Sequence, residues 1–300
     1  MPPRIVARTA GLLLLLLACA GPVRAANAER ALVVGSIRPL YLIVLAVAGN
    51  RVDARQLLDA GSSAHDFALR PSQLRLLSDA RQVFWIDPAL EHPLQPLLAR
   101  LQGPRRDTAL LPLLGLPPRA DGVVDPHVWL DPRLALALAT HIERVLLARG
   151  LIQEGELDLA AFAASMHEAE TRMAAELAGL EKRPFAAMHD GYGYFVRRFA
   201  LRPPTVLALD AEQQVGARTL ARMRREVRDH AAQCLLAERS GGNRRLAQAI
   251  AAGSGIPVVE LDSLAADVPP GPDALARFLV DFARGVAGCL RGAEAGSETR

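Results

Sequence analysis

From Ala31 onward, short apolar runs alternate with segments of helix length, and one long stretch rich in Ala, Glu and Leu interrupts the alternation. Strand and helix in turn build βα units, and βα units build a parallel sheet covered by helices. Residues 31–37 (ALVVGSI) form the first strand-like run, with no polar alternation, as in a strand buried on both faces. A helical stretch follows over 38–48, then strand-like runs over 52–58, 82–86 and 108–114, with a helix opening at Pro71. Residues 134–149 read as an amphipathic helix. Residues 157–182 hold no glycine before Gly179 and stop ahead of Pro184, so they read as one rigid helix. Beyond it the pattern repeats, with strands over 185–188, 205–209, 233–237 and 256–261 and helices over 220–230, 244–252 and 273–290. The sequence thus predicts an α/β fold of two lobes, residues 26–150 and 184–300, joined by a connecting helix at 151–183. A ligand site is expected in the cleft between the lobes.

The residues before Ala31 carry a different signal. Arg4 and Arg8 precede an apolar run from Gly11 to Ala18, and Val23-Arg24-Ala25 offers a small-residue cleavage site. Residues 1–25 read as a secretory signal peptide, too short for a membrane span. The mature protein is expected to be exported and soluble. Cys19 lies in Leu16-Leu17-Ala18-Cys19, an imperfect lipobox with Leu17 where a small residue is usual. Cleavage after Ala25 removes Cys19; lipid anchoring there is the alternative. An even pair then remains, Cys234 and Cys289, in an oxidising compartment. Two states are open to it: a bridge tying the last helix to a strand, or two buried thiols. Neither cysteine has a CxxC partner, which argues against a thiolate zinc site.

Charge excludes one class of partner. The net charge is +3 and nearly all the cations are arginine, Lys182 being the sole lysine. Clusters such as Arg222, Arg224, Arg225 and Arg228 alternate with acids, the pattern of a solvated helix face. No nucleic-acid-binding module is expected.

Four residues of metal-ligand type follow strand-like runs: His65 in SSAHDF, His127 in DPHVWLDP, His189 in MHDGYGYF and Asp262 in PVVELDSL. Three neutral imidazoles and a carboxylate make a tetrahedral set that suits zinc. Four protein ligands would close the shell, which argues for holding an ion rather than for chemistry, since catalytic zinc keeps an open position. Glu238 also ends a strand and can hydrogen-bond a ligand histidine or join the coordination. Asp131 and Asp190 adjoin ligand candidates and can support them or cap helices. Tyr192 and Tyr194 are expected to pack beside the site. His141, His167 and His230 sit in helical segments and are expected at the surface, and His92, in a Pro-bounded segment, is expected to have a structural role. An exported zinc hydrolase is the alternative of a different class, but the chain has no HExxH and no GxSxG.

These residues together resemble the zinc- and manganese-binding solute-binding proteins of bacterial ABC importers, in particular the high-affinity zinc-uptake type. Asp125-Pro-His-Val-Trp-Leu-Asp-Pro132 carries most of the likeness. Gly35-Ser-Ile-Arg-Pro-Leu40, His65-Asp66-Phe67 with Pro71-Ser72, Phe84-Trp85-Ile86 with Glu91, and the segment from His189 to Phe195 add to it. The resemblance implies two Rossmann-like lobes joined by a single long helix, and a metal site formed by His65, His127, His189 and Asp262. It also implies a Cys234–Cys289 disulfide and no enzymatic activity. The implied role is a monomeric periplasmic carrier that hands Zn²⁺ to a membrane permease with its cytoplasmic ATPase. Manganese-type members tend to place a carboxylate where this chain has His189, so the third imidazole points to zinc. A manganese carrier or an adhesin-like surface protein of the same fold is the alternative within the family. The chain departs from the family pattern at Ala64 and Ser263, where proline is usual, and residues 103–124 lack the histidine-rich loop of many zinc-type members.

Overall fold

Two parallel sheets with the same strand order organise the computed structural model, which describes residues 30–101, 106–155, 158–207, 216–239 and 244–292. The segment expected to be a signal peptide, with Cys19, lies outside these residues. The first sheet holds β1 (Leu32–Gly35), β2 (Asp53–Gln56), β3 (Gln82–Trp85) and β4 (Asp107–Ala109), in the order β2-β1-β3-β4. The second holds β5 (Ala186–Ala187), β6 (Thr205–Val206), β7 (Leu235–Glu238) and β8 (Val258–Leu261), in the order β6-β5-β7-β8. Every pairing is parallel. In both sheets the chain steps to one side of its first strand and then returns to the other. The crevice at the carboxyl ends of β1 and β3, and of β5 and β7, is therefore a topological switch point.

The helices follow from the same sequence logic. In α1 (Arg38–Ala48), Pro39 sits in the first turn, where its missing N–H costs nothing, and Gly49 ends the helix at φ 55°. The remaining helices of the first lobe are α2 (Pro71–Asp79), α3 (Leu94–Arg100) and α4 (Pro132–Ala148). The connecting helix α5 (Leu159–Leu177) buries Phe162, Met166, Ala169, Met173 and Leu177, one stripe at spacings of three and four. Nineteen residues make it about 28 Å long. The second lobe adds α6 (Gly193–Arg198), α7 (Ala217–Asp229), α8 (Arg244–Ala252) and α9 (Ala274–Arg291). Among the described residues, no helix is long and apolar enough to cross a membrane.

Helix α9 packs along α5 and reaches α1 of the first lobe. One hydrophobic core consequently runs from β1 and α1 through α4 and α5 to Phe278 and Phe282 of α9, while a smaller one lies under α7 and α8. Cys234 and Cys289 are bonded, with Cα atoms 5.5 Å apart, and fix the start of β7 to the end of α9.

Two expectations change in detail, and two short helices appear that the sequence did not announce. The run at 108–114 pairs only over Asp107–Ala109 and then turns into a one-turn 3-10 helix at Leu111–Leu114, because Pro112 cannot donate to a ladder. Helices α3 and α6, of seven and six residues, carry no period long enough to read. The strand expected over 205–209 pairs at Thr205 and Val206, and residues 208 and 209 lie outside the described set.

Candidate metal centre

His65 lies in the long loop after β2. Two anchors hold that loop. The buried side chain of Gln73 donates to the Leu57 carbonyl at 2.7 Å, and Ser63 Oγ accepts from the backbone N–H groups of His65 and Asp66, both at 3.2 Å. His127 enters from the loop before α4. Its backbone N–H and its ring Nδ1 both meet Asp125 Oδ1, at 3.0 and 2.9 Å. Burial raises the Asp125 carboxyl, but its hydrogen bonds to His127 bring it below the usual range. It is thus an acceptor only, so Nδ1 carries the proton and Nε2 presents its lone pair to the cleft.

His189 follows β5 by two residues, at the switch point of the second sheet. Beside it, with Oε1 3.8 Å from the His189 ring, is Glu238, the last residue of the neighbouring strand β7. Two glycines let the lobes close here. A Cβ on Gly191 would stand 2.6 Å from His189 Cε1 and 3.1 Å from His127 Cδ2. A Cβ on Gly193 would stand 2.6 Å from Asp125 Oδ2. Gly191 and Gly193 therefore present bare backbone, against which the first lobe's ligand and its support can seat.

The three imidazoles converge. Their ring centroids are 4.7 to 5.5 Å apart, and one nitrogen from each lies within 4.8 Å of the others. Tetrahedral zinc with bonds near 2.0 Å separates its ligand atoms by about 3.4 Å. Small side-chain rotations span the difference. His65 is the exposed member of the set; burial, then the neighbouring His127 and His189, lower its pKa to about 3. Burial likewise lowers His127, against the opposing pull of Asp125. Neutral rings are the form that binds a metal. Between them lies a cavity of about 40 Å³, lined by Leu90, Trp129 and Leu264 and by the polar groups of Glu238 and Ser263.

The carboxylates divide between two roles. Glu238 lines the cavity. Tyr192 donates to its Oε1 at 2.8 Å, Ser263 donates to its Oε2 at 2.5 Å, and His189 Nδ1 stands 3.8 Å from Oε1. Burial pushes this carboxyl up, but His189, Ser263 and Tyr192 pull it further down, so it is ionised. Asp262 instead folds onto its own loop and accepts from the N–H groups of Leu264 at 3.0 Å and Ala266 at 2.5 Å. It is not part of the histidine cluster. Burial raises its carboxyl.

Asp131 and Asp190 join the lobes to each other. Asp131 caps α4 through Arg133 N–H and Leu134 N–H and pairs with Arg198 of α6 at 2.9 Å. Asp190 pairs with Arg119 at 2.9 Å. Trp129 adds a third tie, its indole N–H donating to the Ser263 carbonyl at 2.7 Å. Asp125 is the site residue that sequence reasoning passed over; its signal was the Asp-Pro-His spacing within an already conspicuous motif. Outside the cluster, His92, His167 and His230 are exposed and His141 is half-buried on α4.

Comparison with known proteins agrees with this geometry. Residues 33–280 match the family described as zinc-uptake complex component A, periplasmic. The high-affinity zinc uptake system protein ZnuA of Yersinia pestis is 28% identical over 297 residues, covering 88% of this chain and 93% of that protein. The protein of the same description from Haemophilus ducreyi is 26% identical, with 92% and 97% covered. A crystal structure of ZnuA superposes with a TM-score of 0.73 at 24% identity, covering 87% of this chain and all of that one, and so shares the fold.

Proposed function

The chain belongs to the family of the periplasmic component A of zinc-uptake complexes, and on that premise we propose that it captures one Zn²⁺ between its lobes and delivers it to a membrane permease. The observation that carries this reading is the meeting of His65 and His127 from one lobe with His189 from the other, within 4.8 Å. The lobes, residues 26–150 and 184–300 about the 151–183 connector, each hold part of the shell. Loss of the ion on arrival at the permease then requires only that the two ligand groups separate.

We assign the metal to His65, His127 and His189. Asp262 enters that shell only if its carboxylate releases the Leu264 and Ala266 amides. Glu238 compensates the ion's charge from beside His189. Three imidazoles favour zinc over the harder manganese. The cavity, about 40 Å³, is of the size that holds an ion with little more than a water. The remaining parts of the reading are export by residues 1–25 to the periplasm, a monomeric carrier, and a permease driven by a cytoplasmic ATPase.

The test is a variant with both His127→Ala and His189→Ala. It should fold and lose tight zinc binding. Zinc bound with unaltered affinity would remove the site assignment.

A further inference from the structure

Glu238 is the carboxylate that lines the cavity among the three histidines, yet two hydroxyl groups direct both of its oxygens elsewhere. Tyr192 holds Oε1 and Ser263 holds Oε2. Ser263 is itself fixed. It is buried, and its carbonyl accepts the Trp129 indole N–H from the first lobe at 2.7 Å. Trp129 stands two residues past His127, so the restraint on the second lobe's carboxylate is anchored beside the first lobe's ligand. The Ser263 hydroxyl is thus held in place by contacts on both lobes.

We infer that Ser263 sets the metal preference of the site by keeping the Glu238 carboxylate beside His189 in hydrogen bonds to the two hydroxyls rather than as a metal ligand. This rests on the assignment of zinc to His65, His127 and His189. With the hydroxyl present, Oε2 has a strong donor and the shell offered to the ion is three nitrogens. Without it, Oε2 is a buried anionic oxygen lacking that donor, and the ion is the adjacent positive charge. Rotation of the Glu238 side chain then adds a hard oxygen to the shell, the ligand type that suits manganese. Tyr192 alone holds the other oxygen and does not prevent the turn.

The experiment compares Zn²⁺ and Mn²⁺ affinities, by chelator competition, for the unaltered protein and for Ser263→Ala, Ser263→Thr, Glu238→Gln and the Ser263→Ala/Glu238→Gln pair. Ser263→Ala should move the ratio of affinities toward manganese by about tenfold or more, the scale of changes made around metal ligands. Ser263→Thr, which keeps the hydroxyl, should leave the ratio near that of the unaltered protein. In the Glu238→Gln background the Ser263→Ala shift should vanish, since the two act as one unit. The visible spectrum of the Co²⁺-loaded protein should change with Ser263→Ala and not with Ser263→Thr, a readout that loss of stability alone does not move. An unchanged ratio in Ser263→Ala, or an equal shift in the Glu238→Gln background, overturns the inference while leaving the zinc site standing. Failure of the unaltered protein to bind zinc overturns the site assignment and the inference with it.

Discussion

Asp125 holds His127 at two points with one oxygen: Oδ1 accepts from the backbone N–H at 3.0 Å and from the ring at 2.9 Å. The position, ring angle and tautomer of the ligand are therefore set by a single carboxylate that is itself buried. Removing it by Asp125→Ala should weaken zinc binding by roughly 10–100-fold. Asp125→Asn retains an acceptor and should lie between the two. Calorimetric titration of the three proteins at one pH checks the order.

Gly191 gives the second prediction. An added Cβ would meet His189 at 2.6 Å and His127 at 3.1 Å, so Gly191→Ala must push the two rings apart. Zinc affinity should fall by about tenfold or more, at a stability cost of about 1–3 kcal/mol from overpacking. Paired titration and denaturant unfolding measure both. Equal zinc affinity in the variant would mean that the rings are not held where the structure has them.

The disulfide should matter for folding and not for the metal. Cys234 and Cys289 are 55 residues apart in sequence and fix the start of β7 to the end of α9. Replacing both with serine should lower the unfolding free energy by about 2–4 kcal/mol. Zinc affinity of the folded variant should stay within about threefold, since neither cysteine touches a ligand. Guanidinium unfolding with and without reductant, alongside a zinc titration, makes the comparison.

Glu91 predicts a pH dependence. It is fully buried at the end of the first sheet, and its Oε2 accepts from Ile86 N–H at 2.7 Å. Burial raises its pKa to about 7 from 4.5, with Ser36 and the neighbouring backbone opposing and Asp87 adding to the rise. The folded state therefore binds more protons than the unfolded chain between these values. Its contribution is full below pH 4.5 and is lost as pH rises through about 7. Glu91→Gln should remove that decline, gaining on the parent protein by on the order of 3 kcal/mol across the window. The measurement is the difference in unfolding free energy between the two proteins as a function of pH, which cancels groups common to both.

Much of this was legible in the sequence because the central strands are buried on both faces. Runs such as Val33-Val34-Gly35 and Val83-Phe84-Trp85 announce themselves, and α1 and α8 begin and end where their residues indicate. Strand ends were less legible. Ser36 and Ile37 are as buried as the ladder before them, so composition does not mark where pairing stops. Of the three histidines only His189 directly follows a buried strand, two residues past β5, whereas His65 and His127 lie in long loops and stood out by residue type and motif. The inward carboxylate did not, because Glu238 and Asp262 both end strands. Sheet order separates them: β7 lies beside β5, at the switch point with His189, whereas β8 is the edge strand. The extra methylene of glutamate extends its reach into the cleft, while the shorter aspartate turns back onto its own amides. Asp125 was missed for a different cause: the Asp-Pro-His spacing marked it, but a separation of two residues does not by itself show that the carboxylate turns back onto the His127 ring.

The most direct test of the account is a competition titration of the metal-free mature protein with Zn²⁺ and Mn²⁺ against a chromophoric chelator. The three-histidine site predicts one tightly held zinc per chain that an equal concentration of manganese does not displace. A preference for manganese, or the absence of tight zinc binding, would contradict it.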